Sequence, residues 1–292
     1  MLPKTAIFVA LAGFTVSYLV VFVASLRRAH AWATMSFASL VTGFVTNFFD
    51  TLGIGSFATT TAIFKFRNMV PDQLIPGTLN AGHTLPVVFQ AFIYIAAISV
   101  DVTTLTVLIV SAIAGGWFGA GRVAGLPLRT VRICMGGTLV VAAVAMLMRQ
   151  FDLFPIGGES LELSGWKLAA GIVGIFAFAA ISTIGVGFYA PCMTLVSLLG
   201  MNPVAAFPIM MGAGAFLMPV ASAQFVRRHA YSAPVAAGLT IGGLLGVPLA
   251  AFVVKSLPLG SLRWLVICVV LYAAALMLRS AFSHERTLAE AQ

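Results

Sequence analysis

The sequence predicts an all-α, polytopic membrane protein: an inverted repeat with about seven spanning helices and two re-entrant hairpins. Three observations carry that reading. Apolar residues make up 61% of the chain and charged residues 8%, whereas a soluble domain keeps about a quarter of its residues charged because its surface faces water. Uncharged apolar runs recur, such as 133–148 with its flanks and 235–254. At about 1.5 Å per residue, runs of this kind can cross a hydrocarbon core roughly 30 Å thick. The chain also repeats itself, and repetition in a membrane protein is a statement about architecture.

The first apolar segment, 5–26, is too long for a signal-peptide core, lacks a clear small-residue cleavage site and ends in Arg27-Arg28. It is expected to stay as an extra helix within 1–33, with its N-terminus outside. Sliding the chain by 132 residues then aligns a long stretch without a gap. Gly53 falls on Gly185, Gly55 on Gly187, Ala58 on Ala190, Met69 on Met201, Pro71 on Pro203 and Pro76 on Pro208. Ala81-Gly82 meets Ala213-Gly214 and Leu85 meets Leu217, which makes nine identities over the 33 positions 53–85. A second match at offset 131 sets Leu126-Pro127-Leu128 on Leu257-Pro258-Leu259 and Arg132 on Arg263. The expected organisation is a first repeat over 34–149, a linker over 150–165 outside the membrane, a second repeat over 166–282 and a cytoplasmic tail over 283–292.

Each repeat opens with an apolar stretch interrupted midway, 34–66 and 166–199, and continues with three longer helices. These are expected over 73–99, 102–121 and 130–149, then over 204–226, 232–254 and 261–282. Basic residues orient them. If both interrupted stretches enter and leave on one side, then Arg27, Arg28, Lys65, Arg67, Arg122, Arg129, Arg132, Arg227, Arg228, Arg279 and Arg286 lie inside. Lys4, Arg149, Lys167, Lys255 and Arg263 lie outside, an 11-to-5 division of the 16 basic residues. Asp101 and the acidic loop 152–162 also fall outside. Spanning stretches would move Arg67 and the basic loop 122–132 to the wrong side, so the positive-inside rule selects hairpins and inverted halves. Trp32, Trp117, Trp166 and Trp264 fall near segment ends, as interfacial tryptophans do.

The first hairpin reads Asn47-Phe-Phe-Asp50-Thr-Leu-Gly53-Ile-Gly55-Ser56-Phe-Ala-Thr59-Thr60-Thr61. Irregular backbone at membrane depth persists only when buried in protein or lining a wet cavity. A broken helix exposes N–H groups at its new N-terminus, which favour an anion. Gly53 and Gly55 let a ligand approach that backbone, and Ser56, Thr59 and Thr60 add hydroxyl donors. The second hairpin, with Gly185, Gly187 and Tyr189, is its apolar relative; Tyr189 either offers a hydroxyl to the same site or fills a gap between helices. Asp50 is the only acid well inside an apolar segment. It either carries a coupling proton or caps the second half-helix. Asn80, His83 and Gln90 share one helical face and mark a polar path beside the first hairpin.

Other chemistries find no support. Cys134, Cys192 and Cys268 lie in apolar segments without a CxxC pair, so no metal site and no redox pair is expected. The +8 net charge follows from basic loops rather than an aromatic-interleaved patch, so no nucleic-acid partner is expected. HExxH, GxSxG and a P-loop are all missing, so the chain is not expected to be an enzyme or to need a cofactor. Gly238, Gly242 and Gly246, like Ser111, Gly115 and Gly119, form small-residue stripes for helix packing.

The Gly53-Ile-Gly55 turn with its partner Gly185-Val-Gly187, the Pro71/Pro76 spacing, Ala81-Gly82 and the segment Gly115-Gly116-Trp-Phe-Gly119-Ala-Gly-Arg122 followed by Leu126-Pro127 resemble the TauE/SafE family of sulfite and organosulfur anion transporters. The resemblance covers nearly all of 35–281. The sequence departs from the family's GIGGG turn in carrying Ser56-Phe57 after Gly55, and it adds the helix at 5–26. The resemblance implies a secondary transporter of the cytoplasmic (inner) membrane that moves a small anion: sulfite, thiosulfate or an organosulfonate. A proton gradient is the expected driving force. The expected partners are that anion and the lipid bilayer, with a homodimer as an open alternative. An anion channel and a membrane partner of a sulfur-metabolism enzyme are the competing functions.

Overall fold

A computed structural model describes residues 2–153, 157–185, 187–253, 264, 267–268, 270–279 and 281–282. Lys255, Arg263, Arg286, the second Leu-Pro-Leu copy, part of the linker and the tail lie outside the described residues. Among the described residues every regular element is helical. The helices are α1 (Leu2–Arg28), α2 (Ala31–Thr34), α3 (Phe37–Thr51), α4 (Ser56–Arg67), α5 (Ile75–Ala97), α6 (Val102–Val123), α7 (Leu128–Gln150), α8 (Gly165–Ser182), α9 (Tyr189–Leu198), α10 (Ala206–Arg227), α11 (Ala233–Pro248) and α12 (Val270–Arg279). Seven of them (α1, α5, α6, α7, α8, α10 and α11, counted with their flanking turns) are long and apolar enough to cross a membrane. The chain is a multi-pass membrane protein.

That set of seven differs from the expected one in a single exchange. The helix expected at 261–282 is described only in part, as the 10-residue α12. In its place stands α8, whose 18 residues reach about 27 Å, enough to span by length alone. A turn follows at its far end. Gly185 takes φ 107°, a conformation that costs a residue with a Cβ but not glycine, and α9 returns to Gly200 beside Lys167 Nζ at the start of α8.

The first interrupted stretch folds back in the same manner. α3 is capped by Ser36, whose hydroxyl accepts from Ser39 N, and it ends at a turn where Gly53 and Gly55 both have φ near 89° (89° and 88°). α4 then returns until Lys65 Nζ pairs with Asp72 Oδ1 at 2.7 Å. Arg132 Nε, from the start of α7, pairs with the other oxygen of Asp72 at 2.8 Å. The outer ends of α3 and α4 therefore lie at one end of the bundle, beside the start of α5. Those of α8 and α9 lie at the other, where Leu161 O accepts from Asp101 N.

Helices of the two repeats pack on each other reciprocally. α3 lies on α11 and α8 on α6, while the repeat-mates α5 and α10 sit side by side at the centre. α5 and α10 run antiparallel: Gly77 faces Phe225, Thr84 bonds Ser222 and Tyr94 stacks on Phe207. Pro86 within α5 cannot donate to the carbonyl of Gly82, and Thr240 Oγ1 of α11 supplies the missing bond at 2.9 Å. Pro248 ends α11 as an α-helix, and a π-helical turn follows over Leu249–Val253, an irregularity that the apolar pattern did not foreshadow.

Basic residues gather at one end of this bundle. Arg27 and Arg28 end α1, Lys65 and Arg67 end α4, Arg122 ends α6 and Arg227 ends α10. Trp32, Trp117, Trp166 and Trp264 are all exposed on the outer surface.

The α3–α11 contact depends on missing side chains. A Cβ on Gly242 would overlap Leu40 O, and one on Gly246 would overlap Phe44 O. Gly13 of α1 has nothing within 4 Å. Gly242→Val is therefore expected to lower stability by about 1–3 kcal/mol or more, read as a lower melting temperature in detergent, while Gly13→Val leaves it unchanged. Equal melting temperatures would remove this contact from the account.

Candidate functional site

Both hairpin tips are held by α5, at points ten residues apart. Asn80 Nδ2 donates to Thr183 O, at the turn of the second hairpin, at 3.3 Å. Gln90 Nε2 donates to Asp50 Oδ2 at 3.0 Å and to Thr51 Oγ1 at 2.9 Å, and Tyr94 donates its hydroxyl to Thr51 O at 2.6 Å. At about 1.5 Å per residue the two anchor points are roughly 15 Å apart. The first hairpin reaches the far part of α5 and the second reaches back to the near part, so the tips pass one another.

Asp50 is fully buried. Its Oδ1 accepts from Ser56 N at 2.6 Å, which satisfies the first orphan donor of α4 in the way an N-cap side chain does. Gly55 stands at the cap position itself with no side chain to offer. A carboxylate six residues upstream does that work across the turn. The second hairpin has no such acid, and Tyr189 instead reaches the first hairpin's support, donating to Gln90 Oε1 at 3.4 Å.

His83 belongs to a separate network. Its Nδ1 lies 3.1 Å from Asn47 Oδ1 and its Nε2 3.0 Å from Thr60 Oγ1. Asn47 Nδ2 is spent on Gly43 O at 2.8 Å, so Oδ1 acts as an acceptor. This arrangement assigns the proton to His83 Nδ1 and leaves Nε2 to accept from Thr60. Buried polar groups joined in this way fix α3, α4 and α5 against each other.

A cavity of about 450 Å³ opens between the first hairpin's tip, the second half of α7, α9 and α10. Of the residues singled out by sequence, Asp50, Gly53, Gly55, Ser56, Asn80, Gly187 and Tyr189 line it. Thr59, Thr60, His83, Gln90 and Gly185 do not line it. Thr59 bonds back to Gly55 O and Ser56 O, Thr60 holds His83, and Gln90 stands behind Asp50. Gly185 turns beneath Met135 and Leu79. The hydroxyl of Thr61 is buried without a hydrogen-bond partner among the described residues. Asn80 faces the cavity, yet its amide already donates to Pro76 O and Thr183 O. It ties the second hairpin down as much as it could serve a ligand.

Several lining residues carried no sequence signal. Val141, Ala145 and Met148 of α7, with Met193 and Leu198 of α9, read as ordinary lipid-facing or packing positions. Ser182 and Thr194 also line the cavity and sit among apolar neighbours. Comparison with protein-family models, with curated proteins and with solved structures found no match.

Proposed function

We propose that this protein is a secondary transporter of the cytoplasmic membrane that moves a small anion together with a proton, at a site between the two hairpin tips. The observation that carries the reading is Asp50: fully buried, bonded across the break to Ser56 N, and lining the same cavity as Ser56. A carboxylate inside an apolar bundle is costly and is kept where it does something. The start of α4 favours negative charge, and Asp50 already answers that preference. A substrate anion about 4 Å from an ionised Asp50 would meet a repulsion of about 4 kcal/mol at an effective dielectric near 20. That exceeds the roughly 1.5–3 kcal/mol a single charged hydrogen bond returns, so the anion enters together with a proton on Asp50. The resemblance of the hairpin turns to the TauE/SafE family makes sulfite, thiosulfate and organosulfonates the first anions to try.

The inverted-repeat reading, with re-entrant hairpins, is part of the same proposal. It is supported by the antiparallel repeat-mates α5 and α10, by the reciprocal α3–α11 and α8–α6 packing, and by hairpin ends that emerge at opposite ends of the bundle. The cluster of basic residues that ends α1, α4, α6 and α10 is then cytoplasmic.

Two measurements test this. In a background lacking Cys134, Cys192 and Cys268, Arg67→Cys should label only from the cytoplasmic side and Leu161→Cys only from outside; labelling of both from one side would sink the inverted arrangement. In proteoliposomes, uptake of a small anion should rise when an inward proton gradient is imposed, and Ser56→Ala should weaken substrate affinity roughly 10–150-fold. Flux indifferent to the proton gradient would identify a channel instead, and chemical conversion of the anion would identify an enzyme partner.

A further inference from the structure

The cavity is far too large and too apolar for a bare oxyanion. Its volume, about 450 Å³, lies within the roughly 300–1,000 Å³ range of pockets that hold drug-sized organic ligands. A four-atom oxyanion fills about as much space as two or three waters, roughly 60–90 Å³. The polar side chains that line it are Asp50, Ser56, Asn80, Ser182, Tyr189 and Thr194, of which Asp50, Ser56 and Tyr189 stand together at the Gln90 end of the first hairpin. Beyond them the walls are apolar, with Met146, Met148, Met193, Met210 and Met218 supplying flexible thioethers. Methionine walls adapt to apolar ligands of varied shape. Among the described residues no lysine, arginine or histidine lines the space, so no described side chain there offsets a second negative charge. Val141, Val144 and Leu198 in its wall are 56%, 48% and 68% exposed.

We infer that the substrate is an amphipathic monoanion, a single oxyanion head on an apolar aliphatic or aromatic body. The head sits at Ser56 and the hairpin tips, and the body lies between α7 and α9. This deepens the transporter reading and rests on it: the head is the anion of that proposal, and the tail explains the rest of the cavity. Burying the tail supplies binding free energy that the described lining, without a cationic side chain, does not take from charge pairing. A doubly charged inorganic ion has no such compensation and binds weakly.

The test is competition binding to the purified full chain, by calorimetry, with alkanesulfonates from methanesulfonate to octanesulfonate, sulfite, thiosulfate and hexylammonium. Affinity should rise about fourfold for each added methylene that is buried, leaving sulfite and thiosulfate about 100-fold or more weaker than hexanesulfonate. Ala145→Phe, which fills the apolar part, should flatten the series, with hexanesulfonate losing far more affinity than methanesulfonate. Ala142→Phe repeats the test should that variant fold poorly. Sulfite binding as tightly as hexanesulfonate would overturn the inference and leave the anion transporter standing. Hexylammonium binding where hexanesulfonate does not would overturn both. A phospholipid that co-purifies and that no sulfonate displaces would make the cavity a lipid site and also overturn the inference.

Discussion

Two breaks in helical chain inside an apolar bundle leave backbone donors that lipid cannot satisfy, and the arrangement of this protein follows from how each break is met. At the first, the carboxylate of Asp50 accepts from Ser56 N, a bond that closes the turn and sets the start of α4 next to the end of α3. Gln90 then holds the other carboxylate oxygen, so the buried charge has a donor on each side. At the second break no acid is present, and the turn is held from α5 by the Asn80 amide on Thr183 O. α5 serves both, and its place at the centre of the bundle against α10 follows from that double duty.

Helix packing completes the arrangement. The glycines of α11 admit the backbone of α3, and Gly115 and Gly119 of α6 admit that of α8. Without a hydrophobic difference between helix surface and lipid, close backbone approach and interhelical hydrogen bonds are what drive association. Each hairpin's longer arm is thus fixed on a helix of the opposite repeat, while α4 and α9 lie nearer the cavity. Asp72 adds one polar clamp, joining the end of α4 to the start of α7 through Lys65 and Arg132. The matching position in the second repeat is Val204, which has no carboxylate to form such a clamp.

Much of this was legible in the sequence because glycine, proline and charge are rare and positionally expensive in such a chain. Gly53, Gly55 and Gly185 marked the breaks, and Asp50 stood out as the one acid in an apolar run, with capping already among its readings. The cavity's apolar half was not legible. On α7, a residue facing lipid and one facing a cavity obey the same preference for Val, Ala and Met, so Val141, Ala145 and Met148 gave no sign. Long-range pairing was equally hidden: Asn80, His83 and Gln90 share a helix face, yet Asn80 turns to the second hairpin while the other two turn to the first. The length of α8 decides nothing, for a simple reason. Eighteen apolar residues satisfy a spanning criterion whether or not the chain turns back after them.

As proposed, Asp50 is both the cap of a broken helix and the carrier of the coupling proton, and one substitution separates the two roles. Asparagine caps a helix nearly as well as aspartate but cannot exchange a proton. The decisive measurement follows anion flux and internal pH together in proteoliposomes driven by an anion gradient, comparing the wild type with Asp50→Asn. The account predicts that the wild type acidifies the lumen as the anion enters, and that Asp50→Asn still binds the anion but moves no protons. Anion-linked acidification of wild-type size in Asp50→Asn would contradict it and reduce Asp50 to a structural cap.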